Sequence, residues 1–476
     1  MKEKFFITTP VYYANAQPHI GHAYTTVAAD VIVRFKKLLG EKTFLLTGMD
    51  EHGAKIAQKA KEEGVTPQEL VDDVSSDFET LWGRLNIYYD VFTRTTNKKH
   101  KKFIQESIQK LYDKGVIYKG EYEGLYCVGC EQFKNESDLV NGKCPDHNIE
   151  PEIMSEESYL MKMGEKQEEL IKMIRDNKFK IRPLRYKKEV LSFLENNKLE
   201  DLSISRKNVD WGIPLPFDKT HTVYVWFDAF LSYVTGLIEM EKFEQFWPSD
   251  INLIGKDILR VHSTIWPIIL MHLEMSVSRG LFVHGHILSE GKKMSKTLGN
   301  VISIDEMLEK FGTDGTRYLL LAAGGFGEDV DMTMERLVEK YNADLANGLG
   351  NLVSRVVTLN SRLDSKFEGI NFLDKSEVSY SNKNKRLGMN LEKFRLDLEL
   401  NSIMAHIQIL NKYIEDNKPW EIAGVDDKKF KAMMEHVSLG VAFIANALLP
   451  FMPETAEKIK HQLETGEKEI LFERIK

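Results

Sequence analysis

The chain has 476 residues, 42% hydrophobic and 29% charged, with 64 Lys and Arg against 72 Asp and Glu for a net charge of −8. Those proportions fit a globular protein with about three domains and exclude a polybasic coat for polyanions, so nucleic acid would have to dock on local basic surface. The longest apolar stretch, near 437–452, falls short of the ~20 residues that cross a bilayer, and Met1–Ile7 lacks the apolar run of a secretion signal.

In chain order, residues 4–9 read as a buried strand ended by Pro10, a helix runs from Ile20 to about Leu39 with Gly40 as its stop, and a strand follows over 43–47. This is a βαβ unit, whose connection is expected to be right-handed and parallel. A second unit reads as strand 252–254, helix Ile258 to about Met275, and strand 281–285. Between them, over about 116–224, lie hairpin-like aromatic runs and a turn-rich Trp211–Pro216. From about 335 the pattern is helical, with Leu337, Tyr341, Leu345, Leu349, Leu352 and Val356 on one stripe and a polar break near 374–385. The expected class is α/β: an open parallel sheet split by an insertion, then a helical bundle.

All three cysteines fall in one window, Cys127-Val128-Gly129-Cys130 and Cys144-Pro145-Asp146-His147. Two paired knuckles of this spacing predict a closed tetrahedral zinc site that supports a subdomain and leaves no position for chemistry; a free or redox CxxC is the alternative. Metal-type cysteine use fits a reduced, cytoplasmic setting.

Ligands of open α/β sheets bind beyond the carboxyl ends of the strands. After the first strand stands Pro18-His19-Ile20-Gly21-His22, opening a helix whose N-terminus favours phosphate. A two-histidine metal pair or simple capping would also use these residues. After the last strand comes Gly291-Lys292-Lys293-Met294-Ser295-Lys296-Thr297-Leu298-Gly299, a glycine-bounded lysine arm able to close on a triphosphate, or else a solvated charge run. No GxGxxG follows any strand, which removes the dinucleotide fingerprint. Trp226, Ala229, Phe230 and Tyr233 share one helical face, and Ile258, His262 and Trp266 another. Each stripe alone reads equally as core packing; beside a strand end they suit a long, polarisable side chain such as a thioether.

The histidine turn and the lysine arm together resemble the two signatures of class I aminoacyl-tRNA synthetases, with Thr297 where serine is usual. Over essentially the whole length the chain is similar to the methionyl-tRNA synthetase family, through Thr9–Asn15, Gly48–Gly53, Ser205-Arg206, Trp211–Pro214, Tyr224–Ala229 and Ile254–Ile258. The resemblance implies a Rossmann-like catalytic domain in two halves (1–115 and 225–334), an inserted zinc-knuckle subdomain (116–224) and a helical anticodon-binding domain (335–476). It implies activation of methionine by Mg-bound ATP and transfer to tRNA(Met). Val11, Tyr13, Asp50, Trp226, Ala229, Tyr233, Ile258, His262 and Trp266 would bind methionine. His19, Gly21, His22, Gly255, Asp257, Lys293 and Lys296 would bind ATP, the two histidines and two lysines being catalytic. Asn351, Arg355 and Trp420 would read the CAU anticodon, and Cys127, Cys130, Cys144 and His147 would hold one zinc. A monomer is expected. A sibling ligase for another small apolar or thiol amino acid, or a non-catalytic RNA-binding descendant, are the alternatives.

Overall fold

The computed structural model describes residues 3–128, 132–134, 139–145, 148–207, 209–294, 301–363 and 388–476. Its centre is a six-stranded sheet of β1 (Lys4–Tyr13), β2 (Lys42–Asp50), β3 (Val91–Arg94), β4 (Lys180–Arg182), β5 (Ile251–Gly255) and β6 (Gly280–His284). The strands lie in the order β3-β2-β1-β5-β6-β4, every neighbouring pair parallel. Near-continuous apolar runs such as Phe5-Phe6-Ile7 suit strands covered on both faces. Alternate residues go to opposite cores: Phe5, Ile7, Leu45 and Leu253 to one, Phe6, Phe44, Leu46 and Ile254 to the other. The helix Ile20–Leu38 covers the first face, and the helices Val225–Glu239 and Ile265–His272 cover the second.

β4 comes from within the stretch expected to form the insertion, yet it pairs with β6 at the sheet's edge. From the same stretch Ile117–Cys127, Gln132–Lys134, Glu152–Met161 and Leu202–Ser203 build an antiparallel sheet, while the helices Gln167–Arg175 and Leu184–Asn196 pack into the core on the second face of the main sheet.

Three expectations need correction. Pro10 does not end the first strand, because the pairing of β1 with β2 slips by one residue between Thr8 and Val11 and the proline sits in that bulge, where its missing N–H breaks no ladder bond. The helix expected from Ile258 is three pieces, a 3₁₀ turn Lys256–Ile258 and helices Leu259–Ser263 and Ile265–His272. Pro267 has no N–H for the carbonyl of Ser263, and the break falls at Thr264, with φ −120° and ψ −62°. Third, Tyr341–Gly350 winds as a π-helix between the helices Met334–Lys340 and Asn351–Asn360. The spacing of four between Leu337, Tyr341, Leu345 and Leu349 already exceeds the α-helical 3.6 and suits the wider winding.

The stripe from Leu337 to Val356 is buried, and it joins the same core that covers the first face of the sheet. The helices Leu396–Asn417, Asp427–Leu448 and Pro453–Thr465 pack into that core too. The polar break expected near 374–385 lies outside the described residues.

Candidate active site

The strand order reverses between β1 and β5, and a cavity of about 620 Å³ opens there at the carboxyl ends of the strands. Residues far apart in sequence line it: Pro10–Tyr13 at the end of β1 and His19–His22 with Thr25 beyond it, Asp50 and Lys55 at and after the end of β2, Val225, Trp226, Ala229, Phe230 and Tyr233 from the helix Val225–Glu239, Gly255, Asp257, Ile258 and His262 at and after the end of β5, and His284–Ile287 with Met294 and Val301 at and after the end of β6.

At one end His19 caps the helix Ile20–Leu38. Its Nδ1 accepts from the Gly21 N–H at 3.1 Å, and its own N–H donates to His22 Nδ1 at 3.3 Å. The two rings stack with centroids 3.6 Å apart. Burial, then the neighbouring His19, hold His22 well below the usual histidine range, so it is neutral. With both Nδ1 atoms accepting from the main chain, each neutral ring carries its proton on Nε2. Gly21 makes the arrangement possible: a Cβ there would lie 3.0 Å from the His19 ring.

The neighbouring wall is polar. A Cβ on Gly255 would lie 2.5 Å from Asp257 Oδ1, so glycine leaves room for that carboxylate. His284 contacts Thr25 Oγ1 at 2.8 Å and donates from Nδ1 to the Gly285 carbonyl at 2.8 Å; burial keeps it neutral. The segment beyond is a tight hairpin of Ile287–Ser289 with Lys292-Lys293, turning through Glu290 and Gly291, both with positive φ (54° and 73°). Met294, the next residue after this hairpin, lines the cavity, and the Lys293 side chain lies outside the described residues. Lys296 lies outside the described residues.

The opposite wall is aromatic. Trp226, Ala229, Phe230 and Tyr233 come from one face of the helix Val225–Glu239, and Ile258 and His262 face them. His262 donates from Nδ1 to the Ile258 carbonyl at 3.0 Å and accepts from the Tyr233 hydroxyl at 3.1 Å. Burial brings its pKa down to about 4, so it is a neutral, packed ring. Val11, Tyr13 and Asp50 close this end. Trp266 does not line the cavity. It lies fully buried behind the wall, stacked on Phe230 at 5.6 Å with its indole N–H on Ser278. The i, i+8 reading assumed an unbroken helix, and the break at Thr264 sets Trp266 behind the wall.

A buried polar layer fixes this wall from outside. Asp228 receives His52 Nδ1–H and His100 Nε2–H, each at 2.6 Å, and His100 Nδ1 meets Thr235 Oγ1 at 2.7 Å. Burial works to raise the Asp228 pKa, but the two imidazoles hold it down to about 2. Glu51, also buried, takes Arg94 Nε at 2.5 Å and Ser75 Oγ at 2.8 Å. These groups, and the cavity residues Thr25, Lys55, His284 and His286, escaped the sequence reading. Two signals were present: Glu51, His52 and Asp228 lie in the matched segments Gly48–Gly53 and Tyr224–Ala229, and His284 ends a recognised strand.

Two predicted sites lie elsewhere. Cys127 and Cys144 are fully buried although nearby Val128, Val140 and Ile149 are 40–59% exposed, and neither cysteine belongs to the two main cores. Buried thiols in so thin a lobe fit a core organised by a metal. Cys130 and His147 lie outside the described residues. On the helical side Asn351 and Arg355 stand one turn apart on the helix Asn351–Asn360, and the Arg355 guanidinium lies 5.9 Å from the ring of Trp420, which is 40% exposed.

A family model described as class I tRNA synthetases (M) matches residues 5–150 and 137–357. A methionine–tRNA ligase of Clostridium acetobutylicum is 43% identical across 97% of this chain and 73% of its own length. One from Caldanaerobacter subterraneus subsp. tengcongensis is 40% identical across all of this chain and 76% of its own. Among solved structures, the Mycobacterium tuberculosis methionyl-tRNA synthetase in complex with methionyl-adenylate superposes with a TM-score of 0.87 at 33% identity, covering 96% of this chain and 93% of that one. The apo form of that enzyme gives 0.82 at 29% identity, covering 100% and 99%. By this family model and these relatives, the chain belongs to the methionyl branch of the class I tRNA synthetases.

Proposed function

We propose that the chain activates methionine with ATP and transfers it to tRNA(Met). The observation that carries this reading is a single cavity with two neutral imidazoles at a helix N-terminus on one wall and an aromatic box closed by a carboxylate on the other. Its volume lies in the range for small-molecule sites.

Methionine would lie with its thioether among Trp226, Ala229, Phe230, Tyr233, Ile258 and His262, sulfur against aromatic rings. Asp50 would take its α-ammonium group, and Tyr13 and the Val11 main chain would close the pocket. Gly255 and Asp257 would hold the ATP ribose, and His19 and His22 would present Nε2–H donors to the phosphates. Lys293 and Lys296 would close over the triphosphate, to which Mg is bound. A methionine carboxylate oxygen attacks the α-phosphorus, and pyrophosphate leaves with the electron pair of the broken P–O bond. The enzyme supplies alignment and charge neutralisation and no covalent nucleophile. A hydroxyl of the terminal adenosine of the tRNA then attacks the carbonyl, and AMP departs.

The same reading assigns zinc to Cys127, Cys130, Cys144 and His147 as a structural ion. It assigns the anticodon to Asn351, Arg355 and Trp420, where an indole can stack on a splayed base. The catalytic halves, inserted lobe and helical domain take the boundaries given above, save that Lys180–Arg182 within the insertion belongs to the catalytic sheet.

The test is ATP–pyrophosphate exchange with each amino acid in turn, followed by charging of tRNA with an intact or altered CAU anticodon. Methionine should drive exchange at least about 100-fold better than any non-thiol amino acid, and the altered anticodon should abolish charging without touching exchange. Equal exchange with another amino acid would replace this reading by a sibling ligase.

A further inference from the structure

The protein is acidic overall, yet Lys98, Lys99, Lys101 and Lys102 crowd into five residues at the start of the helix Lys98–Asp113, which has no acidic residue in its first turn. Lysines there oppose the helix dipole, at about 0.3–1 kcal/mol each, so helix stability does not explain them. Lys98, Lys99 and Lys102 are exposed, and among the described residues only Lys102 has an acidic partner, Glu106 at 3.7 Å. This helix follows β3, so the lysines lie on the side of the sheet where the cavity opens.

An aromatic ring lies between the cluster and the loop that follows the cavity residue Asp50. The Lys101 ammonium lies 5.7 Å from the ring of half-buried Trp211. Trp211 is tied by its indole N–H to the Glu51 carbonyl and by its own carbonyl to the Gly53 N–H at 3.0 Å. Asp50, immediately before that loop, lines the cavity. Ammonium groups beside an aromatic face, leading toward a reaction site, are the elements of a single-strand nucleic-acid track: cations follow phosphates, and the ring stacks on a base.

We propose that Lys98, Lys99, Lys101 and Lys102, with Trp211, guide the single-stranded 3′ end of the tRNA toward the cavity; this rests on the function proposed above. The charge complementarity is local, since the molecule as a whole repels polyanions.

The experiment is the triple variant Lys98→Glu, Lys99→Glu, Lys102→Glu in the full chain. Glutamates at 98 and 99 agree with the dipole and offset the loss of the exposed Lys102–Glu106 pair, so the thermal midpoint should hold. Methionine-dependent pyrophosphate exchange should stay within about twofold, because none of these lysines lines the cavity. The KM for tRNA should rise about tenfold, and the log–log salt slope should become shallower by about 2, near 0.7 per single-strand phosphate. The loss should appear also in the Kd for an acceptor-stem hairpin lacking an anticodon arm, a probe that is bound but not charged. An unchanged KM, a loss seen only with whole tRNA, or unchanged charging together with loss of a protein partner would each overturn the proposal. Absence of methionine-dependent exchange in the wild type would instead overturn the function on which it rests.

Discussion

His262 illustrates how a buried neutral group shapes both pocket and stability. Its ring bridges the Ile258 carbonyl and the Tyr233 hydroxyl, and burial opposes its charging. Between pH 6.5, the ordinary histidine value, and about 4, the unfolded chain binds a proton that the folded chain refuses. Stability is therefore fully present above pH 6.5 and falls as pH is lowered through that window, by at most about 1.4 kcal/mol per pH unit for this one group. His22 and His284, depressed in the same direction, add to the slope. Urea unfolding between pH 7.5 and 5 should show the decline, and His262→Gln should make it shallower; an identical slope in the variant would refute the assignment. At this scale much of the site was legible, because His19, His22, Asp50, Gly255 and Asp257 all follow strand ends and the aromatic stripe sits on one helix. The Asp228 network was not: its partners are 128 and 176 residues away, and no local pattern encodes that meeting.

Among the elements, reading failed where one backbone break changed a direction. Hydrophobic runs located β1, β2, β5 and β6, yet β1 passes through Pro10 by way of a bulge, and a helix expected to run on breaks near Pro267. That second break turned Trp266 from a predicted pocket residue into a support for Phe230. The three residues of β4 are too short for any periodic signal. The antiparallel lobe carries its own prediction. With Cys127 and Cys144 buried outside either main core and neither lining the cavity, stripping zinc should open residues near 127–150 to proteases while exchange activity survives. Metal analysis before and after chelation, with limited proteolysis, decides it: about one zinc per chain should be lost. A chain that carries no zinc and resists cleavage would remove the metal from the lobe.

Across the whole molecule, one arginine stitches the sheet to the C-terminal helices. Arg317 is completely buried; its Nη2 binds Asp30 at 2.6 Å, and its other donors reach the carbonyls of Leu85, Pro450 and Phe451 within 3.0 Å. A planar fork serving so many acceptors has no isostere. Arg317→Leu would strand them and should cost about 3–5 kcal/mol, read as a lower urea midpoint; Arg317→Lys should recover only part. A loss below about 1 kcal/mol would show that water replaces the guanidinium there. The shared core points the same way, since the helical stripe from Leu337 to Val356 packs into the cluster beneath the sheet.

The edge strand β4 sets a limit on dissecting this protein. Since Lys180–Arg182 hydrogen-bonds to Gly280–His284, cutting out residues 116–224 as one cassette would strip a border from the very strand that ends in His284. The exposed amides would then invite pairing with other chains. A smaller catalytic unit must keep that three-residue seam.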